Sequence, residues 1–583
     1  MTKKEMHYTS ERNVQILISL LKSHGIKRVI ASPGTTNMTF VGSIQNDPYF
    51  QIWSSVDERS AAYLACGMAA ETGEPVVISC TGATASRNYL PGLTEAFYRK
   101  LPVLAVTSHR GEAQIGHLLD QQIDRRTIPN DVAVESVTLP MVDAPEDERF
   151  CVIEANKALL ALKLNGGGPV HINMYTRYNS DFSVNELPQA PVIHRYSTSD
   201  QLPPIIKGRI GVFIGSHKNF TSQEAEALDA FCSSNDAVVF CDHTSGYTGK
   251  YRVNAHLVCC QVDYVSPLYQ VDLMIHIGEV SASFHPNGKT VWRVSPDGAI
   301  RDTFRNVSNV FMMEEYQFFK HYTDENAEPK ESQLNECRHE YERILSSIPE
   351  LPFGNIWIAQ HTISRLPHNS ELHMGIFNSF RSWSFFNLPN GVLGKCNVGG
   401  FGIDGGMSTM IGASFARPDK LFFGVFGDLA FFYDMNVLGN RHIGNNLRIL
   451  LVNNARGTEF RLKRHPCHIF GEDADRYMAA AGHYGNQSPN LVRQYAQSLG
   501  FKYMFASSKE EYLEVLADFV SKDAQDSPVL LEVFTETSDE SESLEILQKL
   551  CFDTKSVARR NLGEIARKVI GDKGVQTIKS LLK

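Results

Sequence analysis

The 583-residue sequence lacks several features that would define its class at once. No stretch reaches the roughly 20 consecutive apolar residues that span a bilayer. The segment Met1–Asn13 is polar and has no apolar core of a signal peptide. The formal net charge of -9 gives no basis for general nucleic-acid binding. The 11 cysteines include no CxxC pair, which argues against a zinc site or a disulfide framework, so we expect a cytoplasmic protein with reduced thiols.

Net charge is unevenly spread along the chain. Residues 555–583 contain eight Lys or Arg against two Asp or Glu, whereas the rest of the chain is acidic. Two interpretations of this tail stay open, a solvated helix lying on an acidic body and a contact with a membrane or polyanion. The sequence favours the first of them.

Short apolar runs that end in Gly, Ser or Asp recur along the chain, with helical segments between them. Such runs indicate parallel sheets covered on both faces by helices. Polar, proline-containing linkers at 186–208 and 323–354 separate three groups of runs. We therefore predict an α/β protein with three doubly wound parallel-sheet domains, 1–187, 188–340 and 341–550, followed by a basic helical tail, 551–583. The predicted strands are Arg28–Ala31, Val76–Cys80, Val103–Thr107, Val170–Met174, Ile210–Ile214, Ala237–Cys241, Leu273–Gly278, Val291–Val294, Leu421–Gly427, Arg448–Asn453 and Val529–Phe534.

Two neighbouring strand ends in the third group carry oxygen ligands. Asp428 follows one apolar run, and the pair Asn453-Asn454 ends the next. A carboxylate and a carboxamide on one rim suit Mg²⁺ when phosphate oxygens complete the octahedron. Taken alone, such residues are more often turn formers or helix caps.

The first group contains a second polar feature. Asp57 and Glu58 precede a helix rich in small residues, where first-turn acids also complement the helix dipole. Their neighbours favour a functional interpretation, because Ser32-Pro33-Gly34 lies upstream and Thr81-Gly82 lies downstream of them.

The order of these three groups, the glutamate before a small-residue helix and the paired strand ends resemble thiamine-diphosphate enzymes. More narrowly, the chain is similar to the MenD family of 2-succinyl-5-enolpyruvyl-6-hydroxy-3-cyclohexene-1-carboxylate synthases, over about residues 10–535. The resemblance implies pyrimidine-binding, central and diphosphate-binding domains, thiamine diphosphate and Mg²⁺, with no cofactor in the central domain. The motifs that carry it are Ser32-Pro33-Gly34, Asp57-Glu58-Arg59, Gly402-Ile403-Asp404-Gly405, Ser408-Thr409 and Gly427-Asp428-Leu429.

The resemblance assigns roles to individual residues. Glu58 would hydrogen-bond the pyrimidine ring of the cofactor, a task that needs a buried carboxyl with a raised pKa. Asp428, Asn454 and the backbone carbonyl of Arg456 would bind Mg²⁺. Ile403 would hold the cofactor in its bent shape. The remaining implied cofactor contacts are Pro33, Gly82, Asn378, Ser379 and Leu429.

At the substrate end some residues match the family. Arg110 matches an arginine that holds a carboxylate, and Gln121 matches an amide at the reacting centre. His109 has two open interpretations, a group that protonates or orients an intermediate and a partly exposed loop histidine. His465 and His468 form an HxxH run, which we interpret as a substrate-side loop because no further metal ligand follows at a suitable spacing.

Other positions depart from the family. Thr36 and Val398 stand where it has arginines, Arg381 is displaced from a third, and Asp120 replaces an asparagine. Since guanidinium groups grip carboxylates in two places, these losses predict a substrate that differs from the family's own or a wider substrate range.

We therefore predict Mg²⁺- and thiamine-diphosphate-dependent decarboxylation of a 2-oxo acid, with transfer of the acyl carbanion to an acceptor. The alternatives are a simple decarboxylase and an inactive binding protein with the same fold. The expected partners are a small 2-oxo acid and an acceptor, without nucleic acid. The resemblance also implies a homodimer or homotetramer whose active sites lie at the subunit interface.

Overall fold

The apolar runs of the sequence form the strands of three sheets. The computed structural model describes residues 7–483, 488, 490–523 and 525–553. Its sheets contain six, seven and six strands, and the predicted parallel α/β architecture is confirmed. Within the predicted tail, residues 554–583 lie outside the described residues, as do residues 1–6 of the polar N-terminal segment.

The first sheet has the strand order β2-β1-β3-β4-β6-β5. Its central strands β3 and β4 consist entirely of buried residues, as expected for strands covered on both faces. Helix α1 packs against α6, and α3 packs against α5. The elements are α1 Arg12–Ser23, β1 Arg28–Ala31, α2 Met38–Ile44, β2 Gln51–Ser54, α3 Glu58–Thr72, β3 Val76–Cys80, α4 Ala83–Asn88, α5 Leu90–Tyr98, β4 Val103–His109, β5 Glu135–Leu139, α6 Pro145–Ala161 and β6 Val170–Tyr175.

The second sheet has the order β10-β9-β8-β11-β12-β13-β7. Strands β8 and β9 are fully buried, and helix α7 packs against both β9 and α9. The elements are β7 His194–Ser197, β8 Ile210–Ile214, α7 Ser222–Asn235, β9 Ala237–Cys241, β10 Arg252–Asn254, α8 His256–Cys259, β11 Gln270–Ile277, β12 Asn287–Val294, β13 Val307–Met312, α9 Glu315–His321 and α10 Ser332–Leu345.

The third sheet has the order β15-β14-β16-β17-β19-β18, which repeats the topology of the first sheet strand for strand. Strand β17 is buried throughout and pairs in parallel with β16 and β19. The elements are α11 Asn355–Thr362, β14 Ser370–Met374, α12 Asn378–Ser384, β15 Leu393–Cys396, α13 Gly406–Ala416, β16 Leu421–Gly427, α14 Asp428–Asp434, β17 Leu447–Asn453, α15 Ala474–Tyr477, α16 Leu491–Ser498, β18 Lys502–Ala506, α17 Lys509–Phe519, β19 Val529–Phe534 and α18 Thr537–Leu547.

The chain separates into two compact units. The first contains the described residues up to Tyr196 together with Val307–Val310, and the second contains the described residues of Ser197–Asn306 and those from Phe311 onward. The three sheets fall inside the predicted domain limits, which themselves stay predictions. All 11 cysteines are free thiols. No helix within the described ranges has the length and apolar character needed to cross a membrane.

The sequence pattern located eleven strands of the described residues and missed eight, β2, β5, β7, β10, β13, β14, β15 and β18. Strands β2, β10 and β15 have only three or four residues, which carry too little apolar pattern. Strand β14 lies inside its sheet and was missed because Ser370, Glu371 and His373 interrupt the apolar run. Strand β4 runs on through His109, two residues beyond the predicted end, so that residue is part of the strand and does not follow it.

Candidate active site

The third sheet contains a cavity of about 500 Å³ at its carboxyl edge. The strand order reverses at β14, which has β15 on one side and β16 on the other. Ligands of doubly wound sheets bind beside such a reversal. Residues that follow β14, β16 and β17 line the cavity, among them Asn378, Asp428 and Asn454.

Asp428 is the first residue of α14 and one of the least exposed groups of the cavity. Its side chain is 2% exposed, and Oδ1 accepts a hydrogen bond from the Leu429 N–H at 2.9 Å. Oδ2 has no hydrogen-bond partner. Burial raises the pKa of this carboxyl to about 7, while nearby backbone N–H groups act in the opposite direction. A cation against Oδ2 would favour the ionised form.

The two asparagines after β17 have different surroundings. Asn453 donates from Nδ2 to Glu532 at 2.8 Å and accepts from the Ala455 N–H at 3.2 Å, so it holds the turn together. Asn454 lines the cavity, and its buried Oδ1 has no partner. Only the second asparagine therefore offers a free oxygen to a ligand.

Arg456 lies in the same turn and also lines the cavity. Its backbone carbonyl accepts a hydrogen bond from the Thr458 N–H at 2.9 Å, which leaves one lone pair. Its guanidinium donates to Asp475 at 2.7 Å through one nitrogen, while Nε has no partner. The remaining carbonyl lone pair is compatible with a metal ligand at this position.

Asn378 and Ser379 begin helix α12 at the other side of the cavity. Asn378 donates to the carboxylate of Glu540 at 3.2 Å, and Ser379 accepts from Asn355 at 3.2 Å. Glu540 is 1% exposed, and burial raises its pKa. The sequence analysis missed Glu540, since it lies far along the chain in a helix that looked like an ordinary acidic segment.

Apolar side chains make up the rest of the wall. Ile403 and Leu429 line the cavity beside Phe377, Phe401 and Phe460. Phe377 has φ 67° and Phe401 has φ 54°, in the left-handed region that costs a non-glycine residue free energy. Their rings lie 6.0 Å apart, edge to face. Such strained residues concentrate at functional sites.

The residues present fit a metal-bound diphosphate. Asp428 Oδ2 and Asn454 Oδ1 are buried oxygens without partners, the ligand type that Mg²⁺ prefers. At Gly427, an added Cβ would meet nothing within 4 Å, so the backbone there borders open space beside Asp428. No cluster of three or more His, Cys, Asp or Glu able to hold a metal occurs in the described part of the chain.

The first unit contains the remaining predicted site residues. Asp57 caps helix α3 by accepting from the N–H groups of Arg59 and Ser60. Glu58 is the first residue of that helix, half-buried, and accepts from Asn88 at 3.2 Å. The helix start therefore fixes the position of the Glu58 carboxyl.

Strand ends of the first sheet are closed by hydroxyl groups. Thr36 Oγ1 lies 2.6 Å from Thr81 Oγ1 and 2.8 Å from Ser108 Oγ, and it accepts from the Gly82 N–H at 3.2 Å. Gly34 packs so tightly that an added Cβ would lie 2.4 Å from Thr81 Cβ. Pro33 lines a separate cavity of about 760 Å³ in this unit.

His109 is 5% exposed at the end of β4, so the interpretation as a partly exposed loop residue is wrong. Nδ1 accepts from the Gly111 N–H at 2.9 Å, which places the ring proton of the neutral form on Nε2. Burial lowers the pKa of His109, and the nearby charge of Arg125 lowers it further. Arg125, which the sequence analysis missed, is 4% exposed and donates to the Ser108 carbonyl at 2.6 Å and to Asn173 at 2.9 Å.

Arg110, the predicted substrate arginine, and Arg381, which is displaced from the family's arginine position, both contact carboxylates. Arg110 lies 3.2 Å from Asp120 and also donates to its backbone carbonyl. Gln121 is exposed and has φ 58°, again in the left-handed region. In the second unit, Arg381 donates to both oxygens of Glu459, at 2.7 and 2.9 Å.

The predicted site residues thus fall into two groups. The cavity brings together Asn378, Ser379, Ile403, Asp428, Leu429, Asn454 and Arg456. Pro33, Glu58, Gly82, His109, Arg110 and Gln121 belong to the first unit. His465 also lines the cavity, where its Nδ1 accepts from the Cys467 N–H at 3.1 Å.

Comparison with known proteins agrees with this arrangement. The family model described as "Thiamine pyrophosphate enzyme, N-terminal TPP binding domain" matches residues 12–128, and its C-terminal counterpart matches residues 379–533. The chain is 30% identical to a 2-succinyl-5-enolpyruvyl-6-hydroxy-3-cyclohexene-1-carboxylate synthase of Phocaeicola vulgatus, covering 91% of this chain and 96% of the relative. It is 29% identical to the synthase of the same name from Bacteroides thetaiotaomicron, covering 92% and 98%.

The protein is accordingly a thiamine diphosphate-dependent enzyme of the class that decarboxylates 2-oxo acids and transfers the acyl group. Within that class, the chain belongs to the MenD family, as a divergent member. Such enzymes take thiamine diphosphate with a divalent metal ion, typically Mg²⁺.

Proposed function

We propose that the third-sheet cavity holds the diphosphate through Mg²⁺ and that the enzyme joins the acyl group of a 2-oxo acid to an acceptor, with a substrate that differs from the family's own or a wider substrate range. The observation that carries this proposal is the pair of buried oxygens without partners, Asp428 Oδ2 and Asn454 Oδ1, at neighbouring strand ends. Bound thiamine diphosphate supplies the electron sink for loss of CO2.

The chain's own residues orient the cofactor and exclude water. Asp428, Asn454 and the Arg456 carbonyl hold the metal, while Asn378 and Ser379 contact the diphosphate at the start of α12. Ile403 and Leu429 form an apolar wall that supports the cofactor and keeps water away.

Residues of the first unit handle protons and substrate in this proposal. Glu58 holds a proton against the pyrimidine ring of the cofactor. Gln121 and Arg110 contact the substrate, and Pro33 and Gly82 contact the pyrimidine end of the cofactor. His109 acts through the proton on Nε2, since Nδ1 already accepts from Gly111.

Titration calorimetry with thiamine diphosphate and Mg²⁺ tests the metal site. Asp428→Asn keeps the shape of the side chain and removes its charge. We expect it to weaken Mg²⁺-dependent cofactor binding by about a hundredfold or more. Substitution of residues that only hydrogen-bond the metal ligands already lowers metal affinity by about 10- to 100-fold. The matched control is Asp419→Asn, in an exposed pair with Arg417. Unchanged binding in Asp428→Asn would refute the metal site.

CO2 release from a panel of 2-oxo acids tests the reaction. Release that depends on both Mg²⁺ and thiamine diphosphate is expected, with a carboligation product when an acceptor aldehyde is added. A free aldehyde as the only product, with acceptor present, would contradict the transfer step and indicate a simple decarboxylase.

We also propose a homodimer or homotetramer with active sites at the subunit interface. The proposal rests on the resemblance to thiamine-diphosphate enzymes, in which one subunit supplies the glutamate and its neighbour the diphosphate site. Mixing inactive Glu58→Gln and Asp428→Asn proteins should restore activity if one chain supplies the glutamate and another the metal site. No recovery after verified subunit exchange would mean that each site is built within one chain.

A cytoplasmic location is the final part of this proposal. All 11 cysteines are free, and eight of them are buried, which suits a reducing compartment. Fractionation of the source cells with an antibody against the chain would test it, and recovery outside the cytoplasmic fraction would contradict it.

A further inference from the structure

Glu540 is a buried carboxyl group beside the third-sheet cavity to which the proposed function gives no role. Its side chain is 1% exposed and lies near the start of α18. Oε1 accepts from the Asn355 N–H at 3.0 Å and from the Thr535 hydroxyl at 3.1 Å, and Oε2 accepts from Asn378 Nδ2 at 3.2 Å. All three donors are uncharged. Burial of a carboxyl group without a cation costs free energy, and ionisable groups of this kind concentrate at functional sites.

The three donors belong to three different elements. Asn355 is the first residue of α11, Asn378 is the first residue of α12, and Thr535 directly follows β19. The two helix starts lie 185 and 162 positions before Glu540 in the chain. An N–H group at the start of a helix has no partner within that helix, and a carboxylate there is favourable. Glu540 therefore fixes the starts of α11 and α12 relative to each other.

Asn355 extends this connection to Ser379. Its Nδ2 donates to the Ser379 hydroxyl at 3.2 Å, and its Oδ1 accepts from Trp383 Nε1 at 2.9 Å, so both ends of the amide are used. Asn355, Asn378 and Ser379 line the cavity. The two residues proposed to contact the diphosphate thus both depend on Glu540, one directly and the other through Asn355.

The chemistry of a carboxylate also sets the orientation of the Asn378 amide. An ionised carboxylate only accepts hydrogen bonds, so the amide turns Nδ2 toward Glu540 and keeps one N–H and Oδ1 for other partners. A glutamine in place of Glu540 would present its NH2 either to Asn378 Nδ2 or to the Asn355 N–H, donor against donor. Only a side chain that accepts at both ends satisfies the three donors together.

We propose that Glu540 is a positioning residue for the diphosphate of the cofactor, acting through Asn378 directly and through Asn355 on Ser379. The inference rests on the proposed function, which places Asn378 and Ser379 against the diphosphate. Glu540 does not touch the cofactor. It holds the amide and the hydroxyl in one geometry before the cofactor binds, so that less conformational freedom is lost on binding.

The variant Glu540→Gln tests the proposal, because it keeps the shape of the side chain and replaces one acceptor by a donor. Calorimetry at saturating Mg²⁺ should show a Kd for thiamine diphosphate about 10- to 100-fold higher, the value of one hydrogen bond to a charged group. At saturating cofactor, kcat should stay close to that of the wild-type enzyme. Glu540→Asp, whose shorter side chain loses reach, should weaken binding as well and takes the place of Glu540→Gln if that variant does not fold.

The matched control is Glu340→Gln, which changes another buried carboxyl group away from the cavity. Glu340 lies in α10 and accepts from Tyr264 and Ser266. Its substitution should leave the Kd for thiamine diphosphate unchanged, whatever its effect on the melting temperature.

A double-mutant cycle with Asn378→Ala separates positioning from support of the fold. In the Asn378→Ala protein, the introduced glutamine can turn its NH2 toward the vacated position and keep its oxygen for Asn355 and Thr535. The loss of cofactor affinity caused by Glu540→Gln should therefore be about tenfold smaller in this background than in the wild type. An equal loss in both backgrounds would overturn the inference, because it would mean that Glu540 only supports the fold.

Asp428→Asn, measured alongside, distinguishes failure of the inference from failure of the proposed function. Weakened binding in Asp428→Asn with an unchanged Kd in Glu540→Gln would overturn the inference and leave the proposed function intact. Unchanged binding in both variants would overturn both.

Discussion

The first and third sheets have the same strand order, but the polar side chains at their carboxyl edges differ in their hydrogen bonding. In each sheet the strand that comes first along the chain, β1 or β14, lies between the second and third strands, so the strand order reverses there. In the first sheet, Thr36, Thr81 and Ser108 join their hydroxyls across the strand ends, and a cavity of about 760 Å³ lies beside the residues that follow β1. In the third sheet, the corresponding edge opens into a cavity with buried oxygens that have no partner.

The difference between the two edges shows that sheet topology determines where a site lies, whereas the side chains at the strand ends determine what it can bind. A parallel sheet brings the ends of its strands to one edge in both cases. Hydroxyls that pair with one another satisfy their own hydrogen-bonding capacity, whereas a carboxylate and a carboxamide with free lone pairs can bind a cation. The two edges can therefore be tested against each other by paired substitutions.

The largest expected effect is on turnover and falls in the first unit. Glu58→Gln should lower kcat by about 10²–10⁴-fold, the usual contribution of acid–base catalysis by one side chain. Cofactor affinity should stay nearly unchanged, because the metal ligands lie in the third-sheet cavity. CO2 release measures turnover, and calorimetry with thiamine diphosphate measures cofactor binding. Full activity in the variant would remove Glu58 from the mechanism.

A second comparison separates the two asparagines after β17. Asn454→Ala should weaken Mg²⁺-dependent cofactor binding by about 10- to 100-fold with little change in stability. Asn453→Ala should instead lower the free energy of unfolding by about 1–3 kcal/mol, because it leaves the buried Glu532 without one of its donors. Denaturant unfolding gives the stability of both variants, and calorimetry gives their cofactor affinity. Equal losses of stability and of affinity in the two variants would contradict separate roles for Asn453 and Asn454.

The smallest expected effects come from two glycines near strand ends, Gly34 after β1 and Gly427 at the end of β16. Gly34→Ala should lower stability by about 1–3 kcal/mol, since its Cβ would lie 2.4 Å from Thr81 Cβ. At Gly427, which borders open space, alanine should leave the apo protein's melting temperature unchanged while reducing cofactor affinity about tenfold or less. A larger stability loss at Gly427 than at Gly34 would contradict the contrast between a tightly packed glycine and one that borders open space.

Much of the fold was accessible from the apolar runs alone. Strands β3, β8, β9, β16 and β19 have the predicted bounds, because a fully buried parallel strand is apolar from end to end. Short edge strands escaped prediction, since three or four residues with one solvated side show no clear pattern. His109 illustrates the same limit, because a histidine gives no sign that β4 continues through it.

Some residues of the candidate site could likewise be named from the sequence, and others could not. Asp428 and Asn454 could be named from the sequence because each follows an apolar run, and strand ends of one sheet share an edge. Asn378 was named only through the family resemblance, since β14 before it carries Glu371 and His373 and was not predicted. Glu540 and Arg125 could not, since their burial depends on elements distant along the chain.

The sequence by itself determined three parallel sheets and the strand ends that carry oxygen ligands, because local pattern and residue type settle these. Only the tertiary structure decided which oxygens are free and which charges are paired. Asn453 and Asn454 are chemically identical neighbours, yet one donates to Glu532 and the other faces the cavity. Arg381 pairs with Glu459, 78 positions away, and such pairing depends on distance in space rather than along the chain.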